Sequence, residues 1–200
     1  MLRGKLDRWS MENFLSLQSY VPFVEGEENK DLVREVLERF ARQVAPKLSL
    51  LRQGVIHNDV SKGNLLIDMS SDKFNISGLV DFGDIRHSCL LFELANTIAA
   101  FINEDDVLLV SGSLLAGYQA VYPLPSLEFD LLYDIVSARL CQVFLITSNH
   151  EKECLNNEYL RKLLKDYLGK FKAWLSNSKE DVVTFWRKVE LDVNFHHKKY

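Results

Sequence analysis

The side chains best suited to chemistry in this sequence lie between residues 57 and 84. His57, Asp59 and Asn64 form the pattern H-x-D-x-x-x-x-N, and Asp81 and Asp84 flank a Phe-Gly pair further along the chain. A chain of this length and composition contains the first pattern by chance only about 0.02 times, so the spacing is informative. Carboxylate and amide groups in this arrangement favour metal-dependent phosphoryl transfer.

Phosphoryl transfer makes two demands that these residues can meet. Metal ions must offset the charge of the phosphates, and a carboxylate must position the attacking hydroxyl and accept its proton. Asp59 and Asn64 lie on one loop between two β-prone segments, and Asp81 follows a third. Because polar turns connect these segments, we expect the three side chains to converge.

Short strands and one long helix are predicted to carry these loops. Residues 55–57, 65–67 and 76–80 are short β-prone runs separated by polar turns. Before them, residues 29–52 carry an apolar stripe at helical spacing, with Pro46 expected to kink the helix and Gly54 suited to ending it.

The helical period dominates the rest of the chain. It predicts helices over residues 90–102, 105–121, 126–148, 157–175 and 179–189, with Asn157 and Ser178 as N-caps of the last two. The fold class expected is α+β and mostly α-helical, in one unit over residues 1–193 followed by a polar tail at 194–200.

The two motifs together resemble a known group of enzymes. Val80 to Asp84, followed by a Phe-Glu-Leu-Ala segment that contains Glu93, is similar to the aminoglycoside phosphotransferase and choline kinase superfamily, and most similar to its hydroxylysine kinase branch. The resemblance extends from about Gly4 to Val189. It implies the C-terminal lobe of a protein-kinase-like fold.

The resemblance also implies roles for individual residues. Asp59 is expected to be the catalytic base, with His57 bracing its loop as the second member of the catalytic group. Asn64 and Asp81 are expected to bind Mg²⁺, and Asp84 to support the metal site or face the substrate. The implied reaction transfers a phosphate from GTP or ATP to a small hydroxylated amine or amino acid, specifically 5-hydroxy-L-lysine with GTP.

Protein kinases share these elements, but three differences argue against them. Asn58 replaces the Arg of H-R-D, no A-P-E follows, and only residues 85–88 separate Asp84 from the next predicted helix. No room remains for an activation loop, so a small substrate fits better than a peptide. The superfamily pattern itself is altered at Asn58, where Gly is usual, and at Glu93, where Asp is usual.

The phosphate-binding half of a kinase fold is not apparent in the sequence. Only 56 residues precede His57, the nine glycines form no G-x-G pair, and no upstream Lys lies in a β-branched run. We therefore expect the chain to correspond to the second lobe alone. Two hypotheses remain: a small-molecule kinase lobe, or a truncated and inactive lobe that acts as a binding or regulatory module.

Three further features leave alternatives open. Arg139 lies in an apolar segment and needs an anionic partner, which is either a substrate carboxylate or an acid of the chain such as Glu93. Glu93 and Asp84 are themselves candidate substrate-binding residues. The acidic run at residues 104–106 either attracts an amine or forms the acidic first turn of a helix.

The composition excludes several other functions. The net charge of −4 gives no broad basic surface, so nucleic acid is not expected as a partner. No apolar run reaches membrane-spanning length and no signal-peptide core follows the N-terminus. The three cysteines lack paired spacing, which fits a reducing compartment. The sequence therefore predicts a cytoplasmic protein.

Overall fold

The computed structural model describes residues 7–69, 75–153 and 157–197 and confirms a mostly helical α+β fold. The α-helices within these ranges are α1 (Glu27–Arg39), α2 (Leu90–Phe101), α3 (Val107–Val121), α4 (Ser126–Glu153), α5 (Glu158–Leu175) and α6 (Lys179–His197). The strands are β1 (Gln53–Ile56), β2 (Leu65–Asp68), β3 (Asn75–Leu79) and β4 (Arg86–Cys89). None of these helices combines the length and apolar composition that a membrane span requires.

Helix α4 forms the centre of the core. It packs against α1, α2, α5 and α6, and against a 3₁₀-helix at Met11–Phe23. Nearly every side chain between Leu131 and Ile146 is buried. A helix that is buried on all sides needs apolar residues on all sides, which explains why α4 lacks a clear amphipathic stripe.

The 3₁₀-helix at Met11–Phe23 was not predicted. Its buried residues Met11, Phe14 and Leu17 recur every three positions, which matches the three residues per turn of a 3₁₀-helix. A search for the 3.6-residue period of an α-helix misses this spacing.

The long helix predicted over residues 29–52 is divided into three parts. Helix α1 ends at Arg39, a π-helical turn follows at Phe40–Val44, and a 3₁₀-helix occupies Ala45–Leu50. Pro46 explains the change, because it has no backbone N–H and its ring cannot fit against the preceding α-helical turn.

Gly54 does not end that helix, because it lies inside β1. A Cβ at this position would come within 2.7 Å of Leu90 Cδ2, so a larger residue would force the Leu90 side chain to shift.

The strands form two antiparallel pairs. β2 pairs with β3, with Leu65 opposite Leu79, and the strands expected at 65–67 and 76–80 are thereby confirmed. β1 pairs with β4, with Ile56 opposite Arg86. Strand β4 was not predicted, since Arg86 and its neighbours are mostly polar and become extended only through their pairing with β1.

The C-terminal helices follow the predicted order, and both predicted N-caps are confirmed. Asn157 accepts a hydrogen bond from the Leu160 amide at 3.1 Å, and Ser178 accepts one from the Asp181 amide at 3.1 Å.

Helix α6 continues to His197, past the predicted end at Val189. Residues 194–197, predicted to be a polar tail, are therefore helical, because no Gly or Pro lies near Val189 to stop the helix. Residues 198–200 of the predicted tail lie outside the described part of the chain.

Trp174 provides a test of core packing. Its indole is buried and donates a 2.8 Å hydrogen bond to Ser137 Oγ, which in turn donates to the Tyr133 carbonyl. We predict that Ser137→Ala lowers the free energy of unfolding by about 1–3 kcal/mol, because it leaves a buried N–H without an acceptor. Denaturant unfolding measures the loss. The exposed Ser113→Ala should change little, and an equal effect of both substitutions would contradict this assignment.

Candidate active site

Two loops meet at one end of the β2–β3 hairpin. The loop from β1 to β2 carries His57, Asp59 and Asn64, and the turn after β3 carries Asp81. The Val80 amide donates a 3.0 Å hydrogen bond to the Asn64 carbonyl. This backbone pairing extends the hairpin by one step and makes Asn64 and Asp81 neighbours across the two loops, as their sequence spacing predicted.

His57 links the two loops through both of its ring nitrogens. Nδ1 accepts a hydrogen bond from the Asp59 amide at 3.3 Å, so Nε2 carries the proton and donates it to the Val80 carbonyl at 3.0 Å. The ring also packs edge-on against Phe82, with 4.9 Å between centroids. With both nitrogens engaged, the buried imidazole positions the loop and has no free nitrogen for a metal or a proton.

Glu93 holds the loop from the side of α2. Its carboxylate accepts hydrogen bonds from the backbone amides of His57 and Asn58. The Asn58 nitrogen lies 3.1 Å from Oε1 and 3.2 Å from Oε2 of Glu93. Glu93 is therefore not the partner of Arg139; its carboxylate binds backbone amides, and its contact with a substrate stays a prediction.

Asn58 turns the chain at this point. Its φ of 70° lies in the left-handed region, which Asn tolerates better than most residues and which Gly adopts without strain. Asn96 of α2 donates to the Asn58 side-chain oxygen at 2.9 Å, and both side chains are buried. The unusual backbone conformation is thus fixed by a hydrogen bond from the helix below.

Asn64 orients the Asp59 carboxylate. The Asn64 side-chain nitrogen donates at 2.8 Å to both Oδ2 and the backbone carbonyl of Asp59. No donor among the described residues bonds to the other carboxylate oxygen of Asp59 or to Asn64 Oδ1. One oxygen of each side chain therefore remains available to a ligand.

Asp81 presents its carboxylate from a strained turn. Its φ and ψ of 65° and 70° are left-handed, and its Oδ1 accepts a 3.4 Å hydrogen bond from the Gly83 amide. Asp81 and Asp84 are both exposed. Asp84 ends the short 3₁₀ turn that Asp81 begins, and it is not among the residues that line the pocket beside Asp59.

Asn64 and Asp81 suit a hard, oxygen-binding cation. Within the described ranges, no group of three or more His, Cys, Asp or Glu side chains is arranged to hold a metal. Mg²⁺ does not require such a group, since it uses one or two protein oxygens together with water and phosphate oxygens. The free amide oxygen of Asn64 and the exposed carboxylate of Asp81 fit that pattern.

A small pocket of about 160 Å³ opens beside Asp59. It is lined by the loop, by one face of α2, and by α4 and α5: Asp59, Val60, Ser61, Asn96, Ala99, Ala100, Arg139, Val143 and Tyr167. A larger cavity of about 450 Å³ between α1, α4 and α5 contains none of the predicted site residues. The small pocket is therefore the candidate acceptor site.

Asn96 and Tyr167 were not identified from the sequence. Asn96 could have been found as a polar residue on the otherwise apolar face of α2. Tyr167 could not be distinguished from a core residue in the sequence, because it lies among the apolar residues that α5 directs at the core. Burial raises the pKa of Tyr167, an effect that the nearby charge of Arg139 partly opposes.

Arg139 lines the same pocket from α4, and Glu93, one of the two partners considered for it, binds the loop amides instead. Its guanidinium donates a 2.8 Å hydrogen bond to Gln142 and lies 5.6 Å from the centre of the Trp9 ring. No described carboxylate comes within ion-pair distance of it. The acidic residues 104–106 lie elsewhere, beside the start of α3.

The chain is similar to known kinases. Residues 3–127 match the phosphotransferase enzyme family. Hydroxylysine kinase from Danio rerio is 36% identical over 157 residues, which cover 76% of this chain and 44% of that protein. Hydroxylysine kinase from Xenopus laevis is 29% identical over 186 residues, or 89% and 50% of the two chains. The chain thus spans half or less of the length of these relatives.

A solved structure shares the fold. The microcompartment-associated aminopropanol kinase superimposes with a TM-score of 0.53 and 21% identity, over 92% of this chain and 56% of the other.

The hydrogen bonds from the His57 and Asn58 amides to Glu93 can be tested by substitution. We predict that Glu93→Gln lowers the free energy of unfolding by about 1–3 kcal/mol, because a charged acceptor for two backbone amides is replaced by one neutral oxygen and an NH₂ group. Chemical denaturation measures the change. The matched control is Asp105→Asn, which neutralises an exposed carboxylate; similar stability of the two variants would argue against the bracing role.

Proposed function

Because the chain belongs to the phosphotransferase enzyme family, we propose that it carries the groups that transfer the γ-phosphate of a nucleoside triphosphate to the hydroxyl of a small metabolite. The observation that carries the proposal is the Asp59 carboxylate, which lines a small pocket while Asn64 holds one of its oxygens. The relatives named hydroxylysine kinase favour 5-hydroxy-L-lysine as the acceptor. GTP is the proposed donor, with ATP as the alternative.

Asp59 is the proposed general base. Asn64 fixes Oδ2 at 2.8 Å, which leaves Oδ1 to accept a hydrogen bond from an acceptor hydroxyl in the pocket. As the hydroxyl oxygen forms its bond to the γ-phosphorus, its proton passes to Asp59 and the bond to the β,γ-bridging oxygen breaks. A phosphate ester and a nucleoside diphosphate result. The chain's contribution is to orient the hydroxyl before the bond forms.

Asn64 and Asp81 are the proposed magnesium ligands. A bound Mg²⁺ would offset the negative charge of the donor phosphates. Asn64 would then have two functions, since its nitrogen orients the base and its oxygen would be a ligand of the metal. This coupling keeps the base and the donor phosphates in a fixed relation. His57 supports both through its bonds to the Asp59 amide and the Val80 carbonyl.

The volume of the pocket supports a small acceptor. Sites for drug-sized ligands typically occupy roughly 300–1,000 Å³, whereas the pocket beside Asp59 holds about 160 Å³. An amino alcohol or a hydroxy amino acid fits this space, and a peptide chain does not. The short connection from Asp84 to α2 supports the same choice, since it offers no platform for a polypeptide substrate.

Loss of the base or of the metal ligand should abolish the reaction. We predict that Asp59→Ala and Asp81→Ala each lower kcat by about a thousandfold or more in the full-length protein, assayed with 5-hydroxylysine and GTP or ATP. Asp130→Asn, at an exposed position near the start of α4, is the matched control and should leave the rate unchanged.

Two outcomes would contradict the proposal. Normal turnover in either site variant would remove that residue from the mechanism. Nucleotide binding without transfer to any amino alcohol or hydroxy amino acid would favour the alternative function, an inactive lobe that acts as a binding or regulatory module.

Nucleotide binding separates the roles of the two acids. We predict that Mg²⁺ strengthens the binding of a non-hydrolysable GTP analogue at least about tenfold in the wild type and in Asp59→Asn, but not in Asp81→Asn, because only the last variant loses a charged metal ligand. Calorimetric titration with and without Mg²⁺ measures the effect. Equal magnesium dependence in all three proteins would rule out Asp81 as a ligand.

A further inference from the structure

The guanidinium of Arg139 forms no ion pair with any carboxylate in the described part of the chain. It projects from the most buried part of α4, where Ala138 and Leu140 are completely buried. No described carboxylate lies within ion-pair distance of it. A cation in such surroundings is costly unless it is paired, and no described side chain supplies a direct ion pair that would offset this cost.

Neighbouring groups hold the guanidinium in a fixed orientation. Gln142 accepts a 2.8 Å hydrogen bond from Arg139 Nη1 and is itself anchored, because its side-chain nitrogen donates to the Arg8 carbonyl at 2.9 Å. Trp9 covers one side of the guanidinium, with 5.6 Å between Arg139 Cζ and the ring centre. Arginine has five N–H donors, and the structure assigns only one of them to a described acceptor. The others are available to a ligand.

The electrostatics of the pocket agree with this geometry. Burial lowers the pKa of Arg139, while Tyr167, Asp59 and Asp84 oppose that shift. An arginine nevertheless stays protonated at neutral pH. The pocket therefore has a fixed positive charge on the α4 wall and the Asp59 carboxylate on the loop wall.

We propose that Arg139 binds the carboxylate of the acceptor and makes the pocket selective for hydroxy acids, hydroxy amino acids among them. A planar guanidinium can bind both carboxylate oxygens in parallel, which fixes the direction of the acceptor as well as its position. With the carboxylate on Arg139, the like charge of Asp59 keeps that end of the acceptor away from the base. The hydroxyl end is then the part that reaches Asp59. This inference rests on the proposed function, because it assigns the acceptor to the same pocket.

A phosphate of the donor is the other anion that such a guanidinium could bind. The position of Arg139 favours the acceptor, since Arg139 lies on α4 beside Ala99 and Val143, whereas the proposed magnesium ligands lie on the hairpin side of the loop. Nucleotide affinity distinguishes the two possibilities, because it should depend on Arg139 only if Arg139 binds a phosphate of the donor.

The test compares two acceptors that differ only in the carboxylate: 5-hydroxylysine and the diamino alcohol left when its α-carboxylate is removed. The full-length wild type, Arg139→Lys, Arg139→Met and the exposed control Arg42→Met are compared by kcat/KM. We expect the wild type and Arg42→Met to prefer the carboxylated acceptor by about a hundredfold, because a buried charged hydrogen-bond pair is lost with the other acceptor. Arg139→Met should abolish that preference, and Arg139→Lys should retain part of it.

The second acceptor shows whether the variants remain folded and active. Unchanged kcat/KM for the diamino alcohol in Arg139→Met, together with a large loss for 5-hydroxylysine, supports the proposal. Equal losses for both acceptors would overturn it in favour of a structural role. A weakened Kd for the GTP analogue, with the preference intact, would overturn it in favour of phosphate binding.

If the wild type transfers phosphate to neither compound, their binding to the wild type and to Arg139→Met is measured by calorimetry to test the carboxylate site by itself. The absence of transfer would contradict the proposed function but not the carboxylate site. Tighter binding of 5-hydroxylysine that disappears in Arg139→Met would still support the carboxylate site. Equal binding of the two compounds, or binding of neither, would overturn it.

Discussion

The candidate site depends on the contact between the Glu93 carboxylate and the backbone amides of His57 and Asn58. The loop between β1 and β2 has no regular secondary structure to satisfy these amides, and a buried N–H without an acceptor is costly. A carboxylate one turn into α2 satisfies both and binds the loop to the helical core. The positions of Asp59 and Asn64 follow from that attachment.

The position of Glu93 is itself a result of the strand pairing. β4 leads directly into α2, and its pairing with β1 brings the start of this helix beneath the loop that follows β1. Gly54 permits the close approach of Leu90 that this arrangement needs. Asn96, one turn beyond Glu93, then fixes the left-handed turn at Asn58. A few polar contacts on a rigid helix thus determine the shape of the whole loop.

Glu93 and Arg139 are two charged residues of the candidate site with different surroundings. Both are charged residues on largely apolar helix faces, and either could have been the partner of the other. Glu93 is satisfied by backbone amides of its own chain. Arg139 has a neutral partner in Gln142 and an open pocket in front of it. Within the described residues Arg139 has no carboxylate partner, and such a charge beside the proposed base Asp59 is better explained by a ligand than by stability.

The sequence alone determined the types of residue at the site, the order of most helices and the hairpin that joins Asn64 to Asp81, because these follow from local spacing and apolar periodicity. It also predicted the two N-caps at Asn157 and Ser178. Only the tertiary structure decided the partner of Glu93, the pairing of β4 and the inclusion of Tyr167 in the pocket. Those contacts join residues that are far apart in the chain, and their side chains, read locally, resemble any surface acid, polar loop or core aromatic. Long-range packing has no signature in local spacing, so the candidate site residues could be proposed from the sequence while the shape of the pocket could not.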